Sequence, residues 1–391
     1  MSLDLPPPEG ELAALSAQLH QLLLDVIERD GAIGFDRYMQ MALYQPGLGY
    51  YSAGAVKLGA DGDFITASEL GPLYATTVAQ GLAPVLEKLE RPDIVELGGG
   101  SGVFCRDLLQ ALHKHGALPA RYRMVEPNAS LRHAQTETVG GLAEQYGMII
   151  EWLDQPPTEH WNGVLFANEV ADALPVKRFR FNGVEAAVSE IVVDAQAGQL
   201  VLAERPAGAA LQQAVLALAE HCVAWPIGFE GEWCPSLQPW VASVLSGLRH
   251  GVALFVDYGD AQGQHYHRQR SEGTLRCFYR HRVHGDALLW PGAQDLTASV
   301  DFTALAQALD AVGVTPSLYC TQAAFLLGCG IEAAFENAYA SAEQPYAVAQ
   351  QARSLLTPGQ MGDVFKVLAA TVGGLSTDFG AHVEDNHLAA L

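Results

Sequence analysis

Basic residues are scarce in this chain of 391 residues: 22 Lys and Arg stand against 44 Asp and Glu, a formal net charge of −22. Nucleic acid is therefore excluded as substrate, because phosphates repel such a surface and binding needs lysine and arginine to displace counterions. An arginine-bearing protein segment suits it, and the acidity serves solubility equally well. Also missing is any uninterrupted apolar run of membrane-spanning length, although 49% of the residues are hydrophobic, so no membrane span is expected. Six cysteines, at positions 105, 222, 234, 277, 320 and 329, form no C-x-x-C pair. That spacing argues against a zinc cluster, and the chain length against a disulfide framework. The histidines gather only in His265-Tyr266-His267 and His281-Arg282-Val283-His284. No carboxylate spacing there completes a metal shell, so a polar loop followed by a strand edge is the reading and no metal is expected. The N-terminus, Met1 to Glu11, is rich in proline and acid. It reads as neither a signal peptide nor an arginine-rich transit peptide, and a cytoplasmic location is expected.

What the chain does have is a burst of glycine behind an acid, Ile94-Val95-Glu96-Leu97-Gly98-Gly99-Gly100-Ser101-Gly102, followed by a helix-compatible stretch from Val103 to His113. A second apolar run ends in acid at Met124-Val125-Glu126. Strand, glycine turn, helix and second strand with a carboxylate at its end make a unit that holds an adenosine-containing cofactor. Glycine lets backbone approach the ligand, and the carboxylate accepts both ribose hydroxyls. A dinucleotide site wants G-x-G-x-x-G. Counted from Gly98 the third glycine would fall at Val103, and counted from Gly100 at Cys105, so neither register completes it. E-x-G-x-G resembles motif I of S-adenosylmethionine methyltransferases. From this motif alone a nicotinamide site, or a glycine turn without ligand, stays open.

The coarse organisation is α/β. Residues 10–30 read as an amphipathic helix, with Leu12, Leu15, Leu19, Leu22, Leu23 and Val26 at helical spacing. Residues 31–70, aromatic and glycine-rich, read as a structured loop with little regular secondary structure. A helix from Pro72 to about Leu89 follows. Strands recur near 93–97, 122–126, 148–152, 163–167 and 251–256, with helical stretches between several of them, which indicates a parallel, doubly wound sheet. Between the fourth and fifth strands, Arg178 to Phe181 and Ala186 to Val193 alternate around Asn182-Gly183, a hairpin signal. A second turn at 195–199 and a helix over 207–224 come next. Residues 260–273 read as a mobile loop, 302–312 as a helix, 314–321 as a strand closing the sheet, and the tail beyond 371 as frayed. Four segments are expected: an N-terminal helical and loop extension (1–90), a cofactor-binding core (91–175), an inserted cap (176–240), and the completion of the core with the C-terminal region (241–391).

Gly62-Asp63-Phe64-Ile65-Thr66, Val95-Glu96-Leu97-Gly98-x-Gly100-x-Gly102, Asn168-Glu169-x-x-Asp172-Ala173-Leu174-Pro175 and Asp257-Tyr258-Gly259 occur in that order, followed by Asp295-Leu296-Thr297 with Val300-Asp301-Phe302, and by Met361-Gly362. Together they resemble the MidA family of methyltransferases, which includes a mitochondrial respiratory complex I assembly factor. Ser68 and Gly99 depart from the pattern at positions where proline is frequent. The resemblance covers roughly residues 30–370 and implies a Rossmann-like class I methyltransferase sheet, S-adenosylmethionine as cofactor, and a protein substrate presenting an arginine, with a respiratory complex subunit among the candidates. It also implies that the segment ending at Thr66 helps close the cofactor site.

In an open α/β sheet the ligand lies outside the carboxyl ends of the strands. Glu96, Glu126, Trp152-Leu153, Asn168-Glu169 and Asp257-Tyr258 all fall at expected strand ends. Gly98, Gly100 and Gly102 are expected to pass under the methionine part of the cofactor. Glu96 is expected beneath that loop, bonding backbone amides or facing the amino group. Glu126 is expected to take the ribose hydroxyls in a wet setting, Trp152 and Leu153 to border the adenine, and Asn168 to hold the amino-acid end or cap a helix. A guanidinium becomes a nucleophile only when its electron density is localised and a proton leaves, which one or two gripping carboxylates would achieve. If a helix starts at Asn168, Glu169 and Asp172 share one face. They are then either that grip or carboxylates favouring the helix dipole. Three functional readings follow: a protein arginine methyltransferase, an assembly or interaction factor of the same fold with little chemistry, and a small-molecule methyltransferase.

Overall fold

The computed structural model describes residues 5–53, 66–184, 187–222, 224–375 and 385–391. The chain makes two compact units, crossing between them at 64/65, 171/172, 237/238, 259/260 and 301/302.

One unit comprises Ile65–Ala171, Gln238–Gly259 and Phe302–Leu391. Its strands are β1 (Asp93–Leu97), β2 (Arg121–Val125), β3 (Ile149–Leu153), β4 (Trp161–Asn168), β5 (Leu248–Asp260), β6 (Thr315–Thr321) and β7 (Phe365–Val372). They lie in the order β6-β7-β5-β4-β1-β2-β3. All neighbouring pairs from β5 to β3 are parallel, and β7 alone runs antiparallel, between β5 and β6. The central strands are covered on both faces, so they read as near-continuous apolar runs. Leu73, Val78 and Leu82 of helix Pro72–Leu86 and Leu108 and Leu112 of helix Val103–His115 share one core with Ile94, Val164, Phe166, Val252 and Leu254. The order in which strands are added to the sheet reverses between β1 and β4, and because these two run parallel their carboxyl ends lie side by side, Leu97 opposite Ala167. That is the switch point where ligands bind in such sheets.

The first five strands, the helix at residue 72, the helix near 302 and the strand near 315 lie where the sequence places them. β7 does not figure in the sequence reading. Its segment is a short apolar run before Gly373-Gly374, a pattern that strands and buried helices share. The tail is not frayed at its end: the His387 N–H donates to the Tyr319 carbonyl at 2.7 Å, and Asn386 Oδ1 accepts from the Tyr319 N–H at 3.1 Å.

The other unit comprises Met1–Phe64, Asp172–Leu237 and Asp260–Asp301. Helix Gly10–Asp30 is as expected. Residues 31–70 are not loop throughout, because helix Phe35–Tyr44 buries Phe35, Tyr38, Met39, Ala42 and Leu43, an i, i+3, i+4, i+7, i+8 stripe, while 54–65 lie outside the described residues. Glycines on both sides hid its short period. Strand Lys177–Phe181 pairs with Ser189–Gln196, Arg178 opposite Ile191, and the latter pairs with Gln199–Pro206 around Ala197 and Gly198, both left-handed at φ 52° and 76°. The hairpin twist demands that conformation. Phe229–Trp233, unforeseen as a strand, closes the other side of Lys177–Phe181. The segment 260–273 is anchored, not free: Gln262–His265 is a helical turn, His265 and Tyr266 are 3% exposed, and the Trp225 indole N–H donates to the Tyr266 carbonyl at 2.8 Å.

At the amino ends of the central strands the backbones crowd. A Cβ on Gly163 (φ 146°) would stand 1.8 Å from the Asp93 carbonyl oxygen, and one on Gly251 (φ 154°) 1.8 Å from that of Gly163. Gly163→Ala is expected to cost on the order of 3 kcal/mol or more, as a backbone clash plus a strained φ does. Gly263→Ala, which meets nothing within 4 Å, should stay within about 0.5 kcal/mol. Denaturant midpoints of the two variants check this, and equal midpoints refute it.

Candidate cofactor and catalytic site

The glycine turn follows β1. Gly98, Gly100 and Gly102 take φ of 64°, 53° and 83°, a left-handed region that side chains other than glycine adopt at a cost. Gly98 donates to the Val125 carbonyl at 3.2 Å, tying the turn to the end of β2. Gly102 is the N-cap of helix Val103–His115. Below the turn lies Glu96, 4% exposed, with Oε2 accepting from the Tyr122 hydroxyl at 2.8 Å. Burial pushes its carboxyl up to about 7, the Tyr122 bond opposes this, and Glu126 adds to it. The bond found for Glu96 is thus to a tyrosine of the neighbouring strand.

Glu126 follows β2, and its N–H donates to the Leu153 carbonyl at 2.9 Å. One carboxyl oxygen accepts from the Asn128 N–H at 2.9 Å, the other from Gln135 Nε2 at 3.4 Å. At 5% exposed it does not have the wet setting expected for it, and burial raises its pKa, partly offset by those two bonds. Gln135, fully buried, also donates to the Gly100 carbonyl at 3.0 Å and accepts from Trp152 Nε1 at 2.8 Å. Trp152, half-buried near the end of β3, is thereby linked to Glu126 through Gln135, and Leu153, also half-buried, is the last residue of that strand. Asn128 N-caps helix Ala129–Val139, which fixes where Gln135 falls.

The third cluster lies past β4. Asn168 Nδ2 donates to Glu169 Oε1 at 3.1 Å, the Tyr258 hydroxyl donates to Glu169 Oε2 at 3.1 Å, and the Ala67 N–H reaches the same carboxyl. The Tyr74 hydroxyl donates to Asn168 Oδ1 at 2.8 Å. Burial, then the Asp257 charge, push Glu169 up to about 8 against these bonds. Asp257 Oδ2 accepts from the Val170 and Ala171 N–H groups at 3.2 and 2.9 Å, holding the turn after Glu169. Glu169 itself sits at φ 56°, a conformation that for glutamate marks a stressed position.

No helix starts at Asn168. β4 runs to that residue, and the element that follows is the three-residue helical turn Ala171–Ala173. The shared helical face assumed for Glu169 and Asp172 is therefore absent. Asp172 is 3% exposed in the unit that contains Tyr44 and Tyr51, whose hydroxyls its charge helps keep protonated. Thr66 precedes the turn Ala67–Leu70, its hydroxyl 2.8 Å from that of Ser68. Glu69 of the same turn accepts from the Ser101 hydroxyl within the glycine turn. Gly62 to Ile65, the rest of that motif, lie outside the described residues.

Gln135, Tyr122, Tyr74 and Glu69 escaped the sequence reading. Each acts through a bond to a residue far along the chain, which spacing does not encode. All the groups described around the glycine turn, Glu126 and Glu169 lie in the Ile65–Ala171 and Gln238–Gly259 portions of one unit. The donor set fits S-adenosylmethionine. Glu126 is an acceptor held by two donors at the end of β2, and the turn has no room for side chains, since a Cβ on Gly98 would stand 3.3 Å from Val170 and one on Gly102 3.1 Å from the Gln135 Cα. Among the described residues no three His, Cys, Asp or Glu side chains are grouped to hold a metal, and no helix is long and apolar enough to cross a membrane.

The family of S-adenosyl-L-methionine-dependent methyltransferases matches the chain over residues 77–320. The "Protein arginine methyltransferase NDUFAF7 homolog, mitochondrial" of Drosophila melanogaster is 28% identical over 95% of this chain and 90% of its own. The "Protein arginine methyltransferase NDUFAF7, mitochondrial" of Rattus norvegicus is 30% identical over 89% and 83%. A crystal structure from Burkholderia thailandensis bound to S-adenosyl-homocysteine is 35% identical, with a TM-score of 0.92 over 99% of this chain and all of that one. The cytoplasmic location expected from the N-terminus does not stand, because these curated relatives are mitochondrial proteins. With the switch-point turn, the carboxylate after β2 and a match over most of its length, the chain belongs to the S-adenosyl-L-methionine-dependent methyltransferase family, and it is a methyltransferase that uses this cofactor.

Proposed function

We propose that the acceptor is an arginine side chain of a protein, that the modified protein is a subunit of a respiratory complex under assembly, and that Glu169 is the catalytic carboxylate. The observation that carries the reading is the state of Glu169: a carboxyl whose two oxygens are held by Asn168 and Tyr258, with burial holding its pKa near 8. The names of the relatives and the net charge of −22 support a basic protein acceptor.

S-adenosylmethionine, when bound, supplies an electrophilic methyl group on a sulfonium. Glu126 holds the ribose hydroxyls, Gly98, Gly100 and Gly102 let backbone pass beneath the methionine part, and Trp152 with Leu153 borders the adenine. Thr66 and Asn168 stand at the methionine end, and Glu96 supports the turn from below. A neutral Glu169 has little affinity for a cation. An arriving guanidinium provides the countercharge it lacks, so Glu169 ionises, its proton passing to water, and grips two N–H groups. Electron density then localises on the remaining nitrogen. As that nitrogen bonds to the methyl carbon and the carbon–sulfur bond breaks to leave S-adenosylhomocysteine, the delocalised guanidinium sheds one of the gripped N–H protons to Glu169.

Calorimetry should show one site per chain for S-adenosylmethionine and S-adenosylhomocysteine and weaker binding of NAD. Glu126→Ala should weaken the adenosyl ligands by about 2–4 kcal/mol, the worth of bonds to a charged group before water compensates. Since Glu126 is 5% exposed and also holds Asn128 and Gln135, the melting temperature should fall as well. Normal cofactor binding by this variant would show that the carboxylate is misassigned.

Glu169→Gln should lower methyl transfer by about 10²-fold or more, as loss of a positioned acid–base group does, and leave S-adenosylhomocysteine affinity within a few-fold. The acceptor comes from mitochondrial lysate incubated with labelled cofactor and purified protein, with mass spectrometry of the labelled species. Labelled arginine peptides support the proposal. Labelled metabolites instead mean a small-molecule enzyme, and no label means an assembly factor. Because Glu169 must be ionised to grip and its pKa is raised to about 8, turnover should climb as pH rises towards that value, and Glu169→Gln should lose this limb. The same assay on Asp172→Asn tests the second carboxylate of the sequence reading.

A further inference from the structure

Tyr74 lies on helix Pro72–Leu86, 1% exposed, its ring tilted against Phe104 at 5.9 Å between centroids. A buried tyrosine hydroxyl needs a partner, and here it donates to Asn168 Oδ1 at 2.8 Å. An amide side chain presents oxygen on one side and NH₂ on the other. By engaging the oxygen, Tyr74 leaves the NH₂ facing Glu169 Oε1 at 3.1 Å. Turned over, the amide would set its oxygen against the carboxyl and repel the ionised form.

We infer that Tyr74 is a positioning residue of the methyl-transfer site: its hydroxyl selects the Asn168 amide orientation that donates to Glu169, and so sets the direction and the ionisation of that carboxyl. The inference rests on the reading of Glu169 as the catalytic carboxylate. The other groups facing Glu169 are Tyr258 and Asp257 at the end of β5 and the Ala67 N–H of the turn Ala67–Leu70. Tyr258 covers the second oxygen, so Asn168 and Tyr258 restrain the carboxyl from opposite sides. The Tyr74 hydroxyl is kept far from ionising, by burial first and then by the charge of Glu169, and stays a donor throughout the range in which Glu169 titrates.

Tyr74→Phe keeps the ring and removes only the hydroxyl. A hydrogen bond to the charged form lowers a carboxyl pKa, so freeing the amide to turn over should move the Glu169 titration upward by about one pH unit. Infrared difference spectra of the full chain across pH report it, the Glu169 carboxyl band being assigned by its loss in Glu169→Gln. Asn168→Ala removes the same donor and should reproduce the upward shift, which keeps the test available if Tyr74→Phe folds poorly. A Glu169 band that titrates unchanged in both variants, or no band lost in Glu169→Gln, overturns the inference. The titration uses no methyl acceptor, so a failure to find arginine methylation would sink the proposed substrate and leave this result intact.

Discussion

One buried amide ties the cofactor side of the fold together. Gln135 meets the Gly100 carbonyl, the Glu126 carboxyl and the Trp152 indole at once. A single side chain thus couples the turn after β1 to the carboxylate after β2 and the ring at the end of β3. Buried polar groups must be matched, and here the matching aligns three strand ends. Close packing enforces it: the Gln135 backbone stands against Gly102, where a Cβ would come within 3.1 Å of the Gln135 Cα. The glycines are needed on both counts, for φ and for space.

A second consequence is electrostatic. Three glutamates, Glu96, Glu126 and Glu169, lie at the carboxyl ends of β1, β2 and β4, and burial raises the pKa of each. Their hydrogen-bond partners differ. A tyrosine hydroxyl holds Glu96, a backbone N–H and an amide hold Glu126, and an amide, a hydroxyl and an N–H converge on Glu169. Sites that separate the ionisation of similar groups in this way divide roles between them. Glu96, beneath the turn and facing Tyr122, supports. In the proposed function Glu126 and Glu169 meet ligand.

Much of this was legible in the sequence because parallel strands declare themselves. Asp93–Leu97 and Leu248–Asp260 each hold an apolar run that meets an acid, Glu96 and Asp257, close to the carboxyl end of the strand. Hairpin chemistry was equally plain at Gly198. Two elements were hidden for physical reasons. Helix Phe35–Tyr44 has only ten residues between glycine-rich flanks, too few turns for the period to stand out from an aromatic loop. β7 carries no alternation because it is buried on both faces. At the site, the strand-end carboxylates were visible and their partners were not. Glu69 meets Ser101 and Tyr74 meets Asn168 across 32 and 94 positions, distances that only the folded chain closes. The assumed helix after Asn168 failed because Asp257, on another strand, takes up the Val170 and Ala171 N–H groups and turns the backbone away.

The late position of β7 bears on how the chain is made. β5 is central in the finished sheet, yet its antiparallel partner pairs Gly251 with Val372, and the partner's residues leave the ribosome long after those of β5. Until they emerge, β5 is an edge strand with a bare ladder of N–H and C=O groups, a template for unwanted pairing. β6 does not cover it, since β6 pairs with β7. The nascent protein therefore waits in a state where the strands of the cofactor turn are complete and the sheet is not. Long sequence separations of this kind slow folding and expose intermediates to aggregation. A sheet whose centre is completed by a strand so far along the chain carries that exposure through its synthesis.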